Sequence, residues 1–580
     1  MDSHLCVLSG ASLATVFSKY ASVRRSLRCG EEESEDGTPL QAIPLAPPEL
    51  HNGGPPPSSF PAQVEYNGMH SAPKQIENDA RELLDAKVGA EDQLDGGEGS
   101  FIKNTKYMHV TSSRIAKQFS WILTLCRELN VSFVFGIMVV YGVGQGVGGA
   151  LNNVAVDFYW KDVQLEKPSN VQFYRGVSTI PWEVKPLWGL MTDVLPIGGY
   201  YRRPYFVITG LLSVFATMVL VLGGQLWVVF ALGMLVVLSA CGALSDATID
   251  AEVAIKSREK PTLAADVQSF CAVSASVGSL VGYSVSGLAV DKLGPQGALG
   301  LMLIPSVLLL VLGFVLHEER AVQTWHDAQL GSQLWIVTLE LWMTLKDPKV
   351  WRPTLYMYLA LAVSPDISEG KFFWYTDMTN GPGFAKEFIG AIYATGSIGT
   401  LLAVYFYHKK LKRVSFRKLL FWVQVLIALF GMLDFVLVTR LNRQLGIPDH
   451  FFVVGDEGLT GAVNRLKWMP LLVLAAKLCP PGIEGTFFSL LMSVDNVGTM
   501  TSTWTGALLL KLTHVTRTDF TNLWLAVVIR NILRLVPLCF VFLLPDTDPD
   551  EDILEPSHKE EAIQLVDTQV QKENGLITNV

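Results

Sequence analysis

The chain has 580 residues, half of them apolar and only 17% charged, with 45 basic against 54 acidic side chains for a formal charge of −9. A soluble fold cannot hide that much apolar surface, so the composition excludes an ordinary water-soluble domain and calls for lipid. The acidic balance gives no support to nucleic-acid binding.

In chain order, residues 1–100 read as a disordered arm. Pro44–Pro61 is rich in proline, glycine and serine, and Glu77–Glu98 is polar with little apolar periodicity. Within it, residues 1–29 hold Ser3, Ser9, Ser12, Ser18, Ser22 and Ser26 with Arg24, Arg25 and Arg28, and a single acid, Asp2. That composition suits either an organellar transit peptide or an unstructured arm. Residues 101–131 form a basic juxtamembrane segment. From there twelve stretches are each read as a membrane-crossing helix: 132–156, 172–195, 205–224, 226–253, 264–290, 297–317, 353–375, 386–407, 418–440, 467–481, 486–512 and 521–545. The stretch 172–195 contains Glu183, Lys185 and Asp193 and scores poorly on hydropathy. It is counted because the alternation of charge between successive loops requires a crossing there. Residues 318–352 separate two six-helix bundles, 132–317 and 353–545. Leu334, Trp335, Leu341, Trp342 and Leu345 in that connection fit either a helix lying along the membrane surface or a packed linker helix. Residues 546–580 form an acidic disordered tail.

With both ends on one side, the loops there carry Arg202, Arg203, Lys256, Arg258, Lys260, Lys409, Lys410, Lys412, Arg413, Arg417 and Lys418, preceded by Lys103, Lys106, Arg114, Lys117 and Arg127. The opposite loops carry fewer cations, so the first side is expected to be the inner one. Tyr159, Trp160, Trp374 and Tyr375 at the outer helix ends are expected to be interfacial anchors. The seven cysteines, Cys6, Cys29, Cys126, Cys241, Cys271, Cys479 and Cys539, show neither metal-ligand nor redox spacing and read as small core hydrophobes; no cofactor is expected.

The halves repeat one another. Gly287-Leu-Ala-Val-Asp-Lys292-Leu293 in the fifth stretch matches Gly506-Ala-Leu-Leu-Leu-Lys511-Leu512 in the eleventh, and Tyr174-Arg-Gly176 matches Phe388-Ile-Gly390, both at an offset of six helices. Parallel six-helix repeats mark the major-facilitator fold, an all-α membrane architecture of about twelve helices. The stretch Pro181–Pro204 also looks like that superfamily's loop signature. Gly189 and Asp193 fit its spacing, while the paired Arg202 and Arg203 come later than usual; together they would form an inner latch. Lys185-Pro-Leu-Trp-Gly, Asp246-Ala-Thr-Ile-Asp250-Ala and Leu478-Cys-Pro-Pro-Gly-Ile-Glu484-Gly-Thr together resemble the folate–biopterin transporter family of plants, cyanobacteria and trypanosomatid parasites. The resemblance runs from about 130 to 545. It implies secondary transport of folate- or pterin-type solutes, coupled to a cation gradient.

A charge inside the bilayer costs roughly 2.5–3.5 kcal/mol on insertion scales, so each is read as paired or functional. Asp246 and Asp250 lie four apart on one helix face. Asp246 is a candidate for substrate binding or proton coupling, or for a structural pair with Lys185. Asp250, with Glu252, is expected nearer water as a gating residue, as is Glu484. In Ser364-Pro365-Asp366-Ile-Ser-Glu369-Gly-Lys371, Pro365 breaks the helix ladder, and broken helices at mid-membrane are where carriers place their sites. Asp366, Glu369 and Lys371 are therefore candidate site residues, with Gln145 and Lys477. Arg534 and Asp495, at similar depth, are expected to pair.

No P-loop, HExxH or nucleophile elbow is present, so no enzyme activity is expected. The reading is a two-lobed carrier that rocks around a central site, with a small-molecule substrate and a proton as partners in a lipid bilayer. Plasma membrane, vacuole and plastid envelope all fit. The alternatives are a carrier of the same fold for another organic anion or heterocycle, and a non-transporting membrane receptor or scaffold.

Overall fold

Helix follows helix through the computed structural model, which describes residues 122, 124–320, 344–478 and 484–546. The expectations for the N-terminal arm, for most of the 318–352 connection and for nearly all of the acidic tail lie outside those residues. Among the described residues no strand forms; one isolated bridge joins Ile197 and Tyr200.

The first half comprises α1 (Val131–Val163), α2 (Pro168–Glu183), α3 (Lys185–Val194), α4 (Arg203–Leu222), α5 (Val228–Glu259), α6 (Ala264–Gly300) and α7 (Leu303–Val315). The second comprises α8 (Pro348–Ala362), α9 (Ser368–Tyr375), α10 (Lys386–Leu411), α11 (Phe416–Val438), α12 (Asp449–Lys477), α13 (Glu484–Leu512) and α14 (Leu523–Leu533). A 3-10 stretch over Val536–Leu543, with Pro537 in its first turn, completes the last crossing.

Seven stretches among the described residues are long and apolar enough to cross a bilayer. One of them, Asp266–Val315, covers the fifth and sixth expected spans, because helix continues past a break at Gly294. Gly294 has φ 72° and precedes Pro295, a conformation that glycine reaches without a Cβ penalty. The expected spans without such a stretch are the second, seventh, tenth and eleventh. The second is split at Val184, and the seventh is split between Ala362 and Ser368. The tenth differs most from expectation. Its helix begins at Asp449 rather than near 467, because Asp456 and Glu457 depress the hydropathy of a segment that is helical and packed inside the second half.

The outward surface carries Leu211, Phe215, Phe314, Leu402, Trp422, Leu429 and Phe542 fully or largely exposed. Only hydrocarbon accommodates such a belt. Inside, glycines set the spacing. A Cβ on Gly146 of α1 would lie 2.8 Å from Gly278 Cα in α6, so these helices meet backbone to backbone.

The halves meet along two related seams. α6 packs on α10 at Gly287, where Gly390 approaches so closely that a Cβ on it would lie 2.8 Å from the Gly287 nitrogen. α2 packs on α13, where Gly176 faces the Trp504 indole. Gly287, Gly390 and Gly176 all belong to the internal repeat, whereas Trp504 does not. On the side that loop charge marks as the expected outer one, hereafter the outer side, the seams merge into one apolar core shared by both halves, holding Phe158, Trp160, Phe372 and Trp374. Phe158 meets Phe372 edge to face at 4.9 Å. Tyr159, Trp160, Trp374 and Tyr375, expected as surface anchors, are therefore interior residues, each no more than 6% exposed. The halves close over them at that face.

Polar contacts reinforce the outer closure. Lys386 pairs with Asp162 at 3.2 Å, Lys161 donates to Thr376 Oγ1, and Arg517 donates to the Lys161 carbonyl at 2.6 Å. At the inner face the described ion pairs Arg202–Asp193, Arg417–Asp546 and Lys260–Glu128 each stay within one half. Lys260 holds the exposed Glu128 carboxyl below its ordinary value by hydrogen bond and charge.

Candidate functional site

Three polar clusters sit inside the helical body. The first lies within the first half. Lys185 opens α3 just after the break at Val184, and its ammonium binds both Asp246 and, at 2.7 Å, Asp250. The four-residue spacing puts both acids on one face of α5. From α1, Tyr141 donates to Asp250 and Gln145 to Asp246. Both donors, four residues apart, lie in the π-helical stretch Met138–Gly148. Gln145, Asp246, Asp250 and Lys185 are thus one assembly. Asp250, expected near water, is buried instead, because Lys185 and Tyr141 hold it between helices.

The second cluster joins the halves. Arg175 on α2 pairs with Asp157 on α1 and, at 3.0 Å, with Glu369 on α9. Beside it, Gln172 donates to Asp366 Oδ2 at 3.0 Å and accepts from the Glu369 N–H at 3.0 Å. Asp366 lies in the break between α8 and α9 and also accepts from the Ser368 N–H at 3.0 Å and its hydroxyl at 2.9 Å. The break is braced from α13: the Asp366 N–H donates to the Ser502 carbonyl at 3.0 Å, and Gly506 lets the Asp366 carbonyl approach closer than any Cβ would allow.

The third cluster lies in the second half. Lys371 meets Asp434 at 2.5 Å, and Arg530 reaches the other oxygen of the same carboxylate at 2.6 Å. Glu369 and Lys371, two residues apart on α9, point to different neighbours, as helix geometry requires. The expected pair of Arg534 and Asp495 does not form. Arg534 lies against Asn531 at 3.4 Å, while Asp495 accepts from the Trp468 indole and faces Lys467. One turn of helix separates Arg530 from Arg534, and it is Arg530 that meets an acid, on α11. Lys467 itself donates to the Ala360 carbonyl at 2.6 Å, at the end of α8.

At the inner face Arg202 pairs with Asp193, bonds Thr192 at 2.9 Å and approaches Glu252 at 3.7 Å. Arg203 donates to the Gly313 and Phe314 carbonyls at 3.1 and 3.0 Å. The Glu318 carboxylate, just past the end of the neighbouring α7, accepts from the N–H groups of Tyr201 at 2.6 Å and Arg203 at 2.9 Å and so caps α4. Gly189 borders open space. Lys477 is half-buried at the end of α12, and the side chain of Glu484 lies outside the described residues. A cleft of about 330 Å³ between α8 and α13, lined by Trp351, Thr354, Leu355, Tyr358 and Val494, includes none of the charged candidates.

Sequence reasoning missed Asp157, Gln172, Arg175, Asp434, Lys467 and Glu318. For the charged residues in the spans the cost of an intramembrane charge was the available signal, and it applies to them as much as to Asp366. Chemically, acids outnumber bases in the first two clusters. Such carboxylates can take protons or accept hydrogen bonds from an amino-heterocycle, and the guanidinium of Arg175 can face an anion.

Three comparisons bear on this arrangement. Residues 145–562 match the model of the BT1 family. The chain is 48% identical over 446 residues to "Probable folate-biopterin transporter 2" of Arabidopsis thaliana, covering 76% of this chain and 89% of the relative. It is 33% identical to the "Folate-biopterin transporter" of Synechocystis, covering 72% and 82%, and 27% identical to "Folate transporter 2" of Plasmodium falciparum, covering 74% and 92%. Among solved structures, the nucleoside transporter NupG superposes with a TM-score of 0.52 at 12% identity, covering 72% of this chain and 97% of that one. A POT family transporter bound to 5-aminolevulinic acid gives 0.52 at 13% identity, covering 72% and 95%. The two structures show the major-facilitator fold alone, whereas the family match over most of the chain and the identity to curated relatives go further: this protein is a multi-pass membrane transporter of the BT1, or folate–biopterin transporter, family.

Proposed function

We propose that the chain carries folate- or pterin-type solutes across its membrane by alternating access, driven by proton entry. The observation that carries this reading is the acid-rich cluster of Asp157, Arg175, Asp366 and Glu369 where the halves meet at a broken helix. Carriers bind substrate at such breaks, and a carboxylate there matches the amino-pyrimidine edge of a pterin. Asp366 is the first candidate for that contact and Asp246 for proton coupling, with Gln145, Glu369, Lys371 and Lys477 as further candidates. Asp193 and Arg202, paired within the first half, with Arg203 and Gly189, would act as the inner latch by meeting the second half when the inner face closes, and Glu484 is the further gating candidate. The names of the Arabidopsis, Synechocystis and Plasmodium relatives favour folates and biopterins over other heterocycles.

Uptake of labelled folate into vesicles bearing the protein, with and without an imposed proton gradient, tests the reading. Gradient-stimulated uptake is expected, and Asp366→Asn should abolish it. Uptake that ignores the gradient removes the proton, unchanged uptake by the variant removes Asp366, and no uptake of folate or pterin by correctly inserted protein removes the substrate class.

A further inference from the structure

The short helix α9 is capped from the opposite half of the molecule. Its Ser368 N–H is met in cis by Asp366, but its Glu369 N–H is met in trans by the amide oxygen of Gln172, whose NH₂ group holds the Asp366 carboxylate. Gln172 is completely buried, and both ends of its amide are used. A helix start needs partners for its first N–H groups, so α9 has its full complement only while α2 lies where it does here. In this arrangement the halves are closed at the outer face over Phe158 and Phe372. Any rocking that separates α2 from α9 strips the trans half of the cap and leaves the Asp366 carboxylate held by Ser368 alone.

We infer that Gln172 is a positioning residue that ties the state of the broken helix to closure of the outer face. With the amide seated, Asp366 and Glu369 are held and the outer face stays shut; when they are drawn elsewhere, the bond across the halves is lost and that face opens. The bonds are a neutral one and one to a carboxylate, so removing both should shift the closed-to-open ratio by about tenfold or more.

The test reads conformation rather than uptake, so its outcome is separate from that of the substrate proposal. Spin labels are placed at Lys167→Cys and Met378→Cys, both exposed on the outer side of opposite halves, in purified protein whose remaining cysteines are serine. Pulsed electron resonance then gives the distance distribution between the halves. Gln172→Met should move the population to longer distances. Gln172→Glu provides the reading that a merely structural role would not produce. Its protonated carboxyl keeps a donor for Asp366 and an acceptor for the Glu369 N–H, the two bonds that the amide makes here, whereas its carboxylate would face that of Asp366. The groups around it are Asp366 and Glu369 at the break and on α9, Asp157 on α1 and Arg175 on α2 itself. α5 has no titratable side chain before Cys241, α13 has none between Asp495 and Lys511, and Lys185 of α3 lies at the other end of α2. Gln172→Glu should therefore match the closed wild-type distribution at acidic pH. Closure by Gln172→Glu at acidic pH together with opening by Gln172→Met supports the inference. An unchanged distribution in Gln172→Met, or a Gln172→Glu protein that is as open at acidic pH as at alkaline pH, overturns it. Should Gln172→Met fail to fold, the pH response of Gln172→Glu alone decides.

Discussion

Asp434 holds two cations at once, Lys371 from the helix break and Arg530 from the last crossing. Removing it takes from the buried Arg530 guanidinium its paired carboxylate and leaves Lys371 with Asp456 and Glu457 as its remaining acids, a loss that for a buried pair costs on the order of 3–5 kcal/mol. Asp434→Ala should therefore lower the thermal midpoint of the purified protein sharply, whereas a conservative change at exposed Lys511 should not; equal midpoints would show that the cluster is solvated in the membrane. At this scale the sequence was informative where a charge stood inside a span, as with Asp366 and Asp246. On partners it was uneven: Lys185, one of the readings for Asp246, does pair with it, but Arg534 and Asp495 do not pair. Arg534 and Asp495 share a depth but sit on helix faces with different neighbours. Depth can be read by counting residues, whereas facing depends on how α11, α12 and α13 pack, and no spacing rule within one helix supplies that.

Elements carry a different lesson. The break between α8 and α9 was visible as Pro365, which cannot donate to the ladder, but its support was not: Ser502 accepts the Asp366 N–H, and Gly506 leaves room for the Asp366 carbonyl. Gly506→Ala would push a methyl into that carbonyl. Overpacking of this kind costs about 1–3 kcal/mol, and uptake should fall by tenfold or more while the protein still reaches the membrane. Normal uptake by Gly506→Ala would mean that α13 can step back without consequence. The start of α12 at Asp449 was hidden for the opposite reason. Asp456 and Glu457 resemble loop residues in a hydropathy window, yet they belong to a helix that packs on α10 and α11 inside the second half. The split second span, by contrast, was recoverable because loop charges demanded a crossing that hydropathy alone denied.

At the scale of the whole molecule, closure of the outer face combines a buried apolar core with exposed charge. Lys386 and Asp162 are each about one-third exposed, at 35% and 34%, and such pairs are worth no more than about 1 kcal/mol. Lys386→Ala should therefore change uptake by less than about fivefold, and raised salt should mimic it. A loss of tenfold or more would assign the closure to this pair rather than to the core. Gly176, Gly287 and Gly390 were legible as repeated glycines, but that they line the seams between the halves, and that the two seams are unequal, was not. One seam is bare backbone against bare backbone at Gly287 and Gly390. The other seats an indole on Gly176, with Phe173 stacked on the same ring at 5.9 Å. If the two lobes rock as proposed, they are cut to the same template yet run on unlike bearings. The smooth one can glide through a range of angles, while the aromatic one has a single well-fitted stop. Motion of the two lobes should accordingly be lopsided, pivoting along the glycine track and swinging free at Trp504.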